Sequence, residues 1–159
     1  MRGEREERMT PELRHVFDIE AEVGPVRDLG AMPHGRRRIV PILGGSVTGP
    51  RLEAQVLSGG ADWQHVRGDG VVELVARYSI RTRDGTEIAV TNSGLRRASP
   101  ETMARMARGE AVDPALVYCR TTPQFEAPAG PYEWLNASVF LGRAVRLPDR
   151  VHIAVYEVL

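Results

Sequence analysis

Apolar and polar positions alternate along most of this chain with a period of two, the signature of half-buried β-strands. Residues 13–22 set Leu13, His15, Phe17 and Ile19 against Arg14, Asp18 and Glu20. A stretch bearing Gly and Pro, residues 24–35, reads as a loop. Residues 36–43 read as a second strand, which Pro41 confines to an edge or a bulge. Gly44-Gly45 and Gly49-Pro50 mark a tight connection. Residues 51–57 then alternate Leu52, Ala54 and Val56 with Arg51, Glu53 and Gln55, a third strand. Gly59-Gly60 leads into a short strand around Asp62-Trp63-Gln64.

The best-defined pair is residues 71–82 with 86–96, joined through Arg83-Asp84-Gly85-Thr86. Asp-Gly favours a two-residue type I′ turn, which pairs Arg83 with Thr86. One face then carries Leu74, Ala76, Tyr78 and Ile80 beside Leu95, Ser93, Thr91 and Ala89. The other carries Glu73 opposite Arg96 and Arg77 opposite Asn92, a polar cluster within cross-strand reach. A slip of one residue would move every side chain to the opposite face. If the polar face is the interior, the apolar face needs cover from a helix or a second subunit, so a homodimer or higher homo-oligomer is expected.

Ser99-Pro100-Glu101 opens a helix, with Ser at the N-cap, Pro in the first turn and an acid behind it. Arg108-Gly109 closes it. Its stripe of Met103, Met106 and Ala107 suits a plug or cover at one end of a barrel. Strands resume at residues 116–122, 135–147 and 150–158. Eight to ten strands with short connections and one helix predict a mainly β, antiparallel, closed or nearly closed barrel over residues 10–159. The order excludes a Rossmann-type fold, in which strand and helix alternate. Residues 1–9 mix charges without an apolar core and read as a disordered tail, not a signal peptide.

Composition narrows the function. The 21 basic residues balance 21 acidic ones, so the chain lacks the positive excess of a nucleic-acid binder. Every one of the basic residues is Arg, a planar fork that keeps its charge and suits carboxylates and enolates. No apolar stretch approaches the ~18 residues of a membrane span, and a cytoplasmic protein is expected. Cys119 is the only cysteine, which excludes an intrachain disulfide and a thiolate metal cluster. His15, His34, His65 and His152 are scattered, so no metal site is expected. Phosphate-binding, dinucleotide, zinc-protease and nucleophile-elbow motifs are absent. The expectation is a protein without a cofactor.

Polar and aromatic residues embedded in strand-like sequence remain: Asp62-Trp63-Gln64, Arg77, Asn92 and Arg96, Tyr118 and Arg120, and Tyr132, Trp134 and Asn136. A small barrel with a few such groups converging among aromatics is a usual small-molecule site. Gly-Gly-Ala-Asp-Trp-Gln at residues 59–64, Ala76-Arg77-Tyr78 and Asn92-Ser93-Gly94-Leu95-Arg96 occur in order with Arg108-Gly109-Glu110 and Asp113-Pro114. Tyr118-Cys119-Arg120-Thr121-Thr122-Pro123 and Tyr132-Glu133-Trp134-Leu135-Asn136 follow them. With this ordered set the chain resembles the bacterial and fungal family of domain of unknown function 3237 over nearly its whole length after Met9. The resemblance implies a β-barrel of lipocalin-like appearance and carries no established activity. Cys119 stands where that family suggests an aromatic residue.

The expected function is a small cofactor-free enzyme of the isomerase, cyclase or dehydratase (lyase) type. It would act on a hydrophobic oxygenated metabolite in the lumen, in secondary metabolism. Asp62 or Glu73 would move a proton, and Arg120, with Arg77 and Arg96, would bind or polarise a carbonyl or carboxylate. Trp63, Tyr118, Tyr132 and Trp134 would shape the apolar part of the site, and Asn92 and Asn136 would orient the ligand. The rival is a non-catalytic carrier of the same barrel type. A buried, unpaired carboxylate facing the ligand favours the enzyme, and a carboxylate fully tied into ion pairs favours the carrier.

Overall fold

The computed structural model describes residues 9–159, so the charged tail expected over residues 1–9 lies, except for Met9, outside the described residues. Ten strands are present: β1 (Leu13–Val23), β2 (Arg27–Met32), β3 (Gly35–Thr48), β4 (Ala54–Val56), β5 (Ala61–Val66), β6 (Val72–Thr82), β7 (Glu87–Arg97), β8 (Tyr118–Glu126), β9 (Phe140–Arg146) and β10 (Arg150–Val158). One helix, α1 (Pro100–Ala107), follows β7. All the pairings are antiparallel: β1 pairs with β10, β10 with β9, and so on through β8 and β7 to β6. β4 and β5 lie end to end between β6 and β3, and β3 returns to β1. The result is a closed barrel of eight strand positions, with β2 hairpinned onto β3 outside the ring. Among the described residues no helix is long and apolar enough to cross a membrane.

Inward-facing residues divide the lumen into two halves. Along β9 they run Phe140, Gly142, Ala144, Arg146, and along β8 Phe125, Pro123, Thr121, Cys119. Along β1 they run Phe17, Ile19, Ala21, Val23, and along β7 Ile88, Val90, Asn92, Gly94, Arg96. One half is therefore filled by large apolar groups. Phe125 packs edge-to-face on Phe17 at 5.5 Å and on Phe140 at 5.2 Å, geometry worth about 0.5–1.5 kcal/mol per pair beyond burial. In the other half Ala and Gly replace Phe and Ile, and the lumen opens. Helix α1 stands near this second end, its Met106 and Ala107 facing a surface cleft shared with residues 23–26 and 146–149. Ser99 caps it as expected, its Oγ accepting from Thr102 N at 3.1 Å.

Several local expectations change. Residues 27–32 form β2 instead of a loop, and β3 runs straight through Gly44-Gly45 to Thr48. Gly45 sits at φ 131° with β1 backbone so close that a Cβ would collide with Glu20 O, which makes it part of the strand crossing and not a turn. A register shift between His15 and Phe17 buries both Val16 and Phe17 and turns Leu13 and His15 out. Residues 133–137 coil as a 3-10 turn, so the inferred alternation of Tyr132, Trp134 and Asn136 has no strand beneath it.

The β6–β7 hairpin matters most. Thr82 N donates to Thr86 O, and Gly85 N donates to Thr82 O, both at 3.0 Å, so the loop has three residues, not two. Asp84 favours this form because its Oδ1 accepts from Thr86 N at 3.1 Å and from the Thr82 hydroxyl. Gly85 supplies φ 87° at the closing position. The register therefore shifts by one: Tyr78 faces Val90, Ala76 faces Asn92 and Val72 faces Arg96. Leu74, Tyr78 and Ile80 turn into the lumen together with Asn92 and Arg96, while Glu73 and Arg77 turn out. The β6 half of the apolar face that called for a second subunit, Leu74, Ala76, Tyr78 and Ile80, is thus barrel interior. Its β7 half turns out, with Leu95 42 % exposed, so the continuous outer apolar face behind the oligomer expectation does not form.

Gly85→Val should destabilise the protein by about 1 kcal/mol or more, because a β-branched residue resists positive φ, and Gly85→Asn should cost less. Urea unfolding of the two variants checks this. Equal midpoints would contradict the positive φ at Gly85.

Candidate functional site

The open half of the lumen holds a cavity of about 60 Å³. Roughly 10–15 Å³ in this measure houses one water, so a compact organic group fits. Val40 and Ile42 of β3, Leu74 and Ala76 of β6, and Val151 and Ile153 of β10 form its apolar wall. Asp62, Gln64, Tyr78, Asn92, Arg96, Cys119, Thr121 and Arg146 bring polar groups to it from five strands. Each points inward for the same reason, strand alternation: Asp62 and Gln64 are two apart on β5, Cys119 and Thr121 on β8. Thr121 fits because Gly142 beside it has no side chain, and a Cβ there would strike Thr121 Oγ1.

These groups are incompletely satisfied. Asp62 Oδ1, Tyr78 Oη, Asn92 Oδ1, Arg96 Nε, Thr121 Oγ1 and Arg38 Nε are all buried without a hydrogen-bond partner among the described residues. Buried polar atoms nearly always find partners, and each failure costs about 1–3 kcal/mol. A cluster of such failures around one cavity marks places for ligand or water atoms.

Asp62 is the central case. Part of the residue reaches solvent, but Oδ1 is sealed off, and the other oxygen accepts from Gln64 Nε2 at 2.9 Å. Burial pushes its pKa above the ordinary 3.8, while the Gln64 hydrogen bond and the charges of Arg96, Arg146 and Arg38 pull part of the way back. None of those guanidinium groups comes within the 4.0 Å of an ion pair with Asp62 among the described residues. Burial also raises the Tyr78 hydroxyl, helped by Asp62, and raises the Cys119 thiol, with Arg96 opposing. It depresses the pKa values of Arg38, Arg96 and Arg146.

Of the residues expected to build a site, Asp62, Asn92 and Arg96 meet in this cavity. The others lie elsewhere. Trp63 follows Asp62 directly, so alternation turns it outward, where it is 53 % exposed. Glu73 and Arg77 lie outside for the register reason given above, with Glu73 3.8 Å from His65 Nδ1. Tyr118 and Arg120 occupy the outer phase of β8. There the guanidinium groups of Arg97 and Arg120 sit 4.2 and 5.1 Å from the Tyr118 ring. Trp134 packs on Phe140 near the filled end, under the Arg51 guanidinium at 3.7 Å, and Tyr132 packs partly buried against the core. Asn136 clamps Ala127 through its backbone N and O, both at 2.8 Å. Gln64 was grouped with Asp62 but given no role, and Tyr78, Cys119, Thr121 and Arg146, with Arg38 just outside the lining, were not anticipated as site residues; each shares the phase of buried residues on its strand. Arg146 follows Phe140, Gly142 and Ala144 at steps of two, and Tyr78 stands between Ala76 and Ile80.

Residues 11–158 match the family described as protein of unknown function (DUF3237). The chain is 44% identical over 153 residues to the UPF0311 protein RPA1785 of Rhodopseudomonas palustris, covering 95% of this chain and 100% of that one. The crystal structure of RPA1785 superposes with a TM-score of 0.92, covering 95% and 99% of the two chains. A beta-barrel like protein of Acinetobacter baumannii, 36% identical and covering 95% and 98%, gives 0.82. An enzyme from Penicillium herquei, 21% identical and covering 95% and 96%, gives 0.71 and so shares the fold. With a match over nearly all its length and relatives at 42–44% identity, this chain belongs to the DUF3237 family.

Proposed function

We propose that this protein is a cofactor-independent enzyme that moves a proton on a small oxygenated metabolite held in the open half of the barrel. The observation that carries the reading is the Asp62 carboxyl: sealed at Oδ1, outside any ion pair among the described residues, and facing the cavity with its pKa raised. A carboxylate in that state is a stronger base than one in water, and its acid form can return the proton. Asp62 takes a proton from the carbon next to a carbonyl, and the C–H electron pair moves onto the carbonyl oxygen. Arg96, deep and cationic, stabilises the enolate oxygen. Proton return to another carbon gives isomerisation, and loss of a β-hydroxyl as water gives an unsaturated carbonyl. An internal hydroxyl that adds to its β-carbon, giving its proton to Asp62 for return to the α-carbon, closes a ring. Tyr78, Asn92 and Thr121 have free polar atoms to orient the substrate. A barrel of this shape serves as an enzyme in Penicillium herquei, which supports the class of function and not a particular reaction.

The carrier reading expects its buried carboxylates to be tied up. Glu157 is such a carboxylate, its side chain 7% exposed and bonded by Arg14 at 2.6 Å and Arg51 at 3.3 Å. Asp62 contrasts with it, which favours the enzyme.

Proton transfer can be read without knowing the net reaction. Oxo compounds that raise the melting temperature should exchange their α-hydrogens for deuterium in D₂O, followed by NMR. Asp62→Asn should slow that exchange about 100-fold or more, since general acid–base groups contribute about 10²–10⁴. Tight binding with no exchange in either protein would make it a carrier.

Stability should follow the same group. A raised folded-state pKa favours folding below 3.8 and loses that advantage as pH rises through the folded value. Arg38, Arg96 and Arg146 stay charged in this window, and Cys119 and Tyr78 titrate above it. Asp62→Asn should therefore gain stability relative to wild type as pH climbs from about 3.5 to 7. Parallel pH–stability curves would contradict a buried, uncompensated Asp62.

A further inference from the structure

The cavity has more positive charge than proton transfer needs. Arg96 is 8% exposed, its Nε has no partner, and it forms no ion pair among the described residues. Arg146 lines the cavity from the end of β9, and Arg38 stands on β3 outside the lining, in the phase of Val40 and Ile42. Each is half-buried, and each lies close enough to Arg96 for the two charges to oppose one another. Asp62 is the carboxylate that acts on all three. Asp28 also acts on Arg38 and Asp149 on Arg146. Over the lining alone, Arg96 and Arg146 face Asp62: a surplus of one positive charge with Asp62 ionised, and two with it protonated. A developing enolate balances one charge, and only during reaction. Buried charge of this kind is tolerated when an anion completes it.

We infer that the substrate is a small organic carboxylate, with its carboxylate on Arg96 on the side of the cavity that Arg146 also lines. This rests on the proton-transfer reading for the word substrate, and the anion site itself stands without it. The carboxylate accepts from the unpartnered Nε of Arg96, a charge-assisted contact in a low-dielectric wall. Val40, Ile42, Val151 and Ile153 then take the hydrocarbon part. The reacting carbon faces Asp62, whose negative charge would repel the carboxylate if the ligand were reversed. A cavity of about 60 Å³ with mostly apolar walls suits a weakly hydrated monoanion better than a phosphate dianion.

The test is calorimetric titration of dialysed protein with matched pairs of four- to ten-carbon 2-oxo and 3-oxo acids and their methyl esters, with inorganic phosphate as a third probe. Acids should bind about 10- to 100-fold tighter than their esters, and Arg96→Met should remove that difference. Arg146→Met, at the rim, should reduce it by a smaller factor and guards against a folding defect at Arg96. Asp62→Asn should bind the acids at least as tightly as wild type, because it removes the one opposing charge. Acid binding without deuterium exchange would remove the enzyme reading and keep the anion site. Esters binding as well as acids, phosphate binding in preference to them, or no acid binding at all would overturn the inference.

Discussion

A strand in a closed barrel offers each side chain two destinations, the lumen or the outside, and successive residues must take opposite ones. Nearly everything about this molecule follows from how that phase is set on each strand. The three-residue loop at Arg83-Asp84-Gly85 sets it between β6 and β7, placing Tyr78, Asn92 and Arg96 on one inner surface. The shift near Val16 sets it on β1, and the Ser58-Gly59 interruption between β4 and β5 sets it for Asp62 and Gln64. Once phase is fixed, residue size divides the lumen. Phe17, Phe125 and Phe140 fill one half, and Ala21, Ala76 and Ala144 leave the other open.

The two halves treat charge differently. At Glu157 a buried carboxylate meets two arginines, one of which also lies over Trp134, so charge and apolar surface are satisfied together. In the cavity, Asp62 and Arg96 lack such contacts, and their unpaired atoms lie among Tyr78, Asn92 and Thr121 in the same state. Unpaired buried groups cost stability, and a fold dense in long-range strand pairs can absorb that cost locally. The same sequence thus contains one buried carboxylate tied to arginines and one left outside any ion pair among the described residues, distinguished by geometry and not by residue type.

Much of the fold was legible in the sequence. Alternation marked most strands, and Ser99-Pro100 marked the helix start. The features that were hidden share a cause. Period-two patterns reveal that two faces exist but not which one is inner, and Tyr118 and Arg120 resemble a site until Cys119 and Thr121 are seen to share the phase of Phe125. Trp63 and Asp62 are adjacent, so without a register shift like the one that buries both Val16 and Phe17, alternation excludes one of them from the lumen. Asp84-Gly85 fits two loop lengths, and the choice turns on side-chain hydrogen bonds to Thr82 and Thr86 that spacing does not show.

The claim that most needs testing is that Asp62 is buried without a compensating ion pair. Its side-chain carboxyl carbon can be followed by ¹³C NMR as pH is varied, with Asp62→Asn assigning the signal. The account predicts a midpoint clearly above the ordinary 3.8 in the folded protein, returning to the ordinary range when unfolding exposes the carboxyl to water. A midpoint at or below 3.8 in the folded protein would mean that the arginines neutralise Asp62, and the proton-transfer site would not exist.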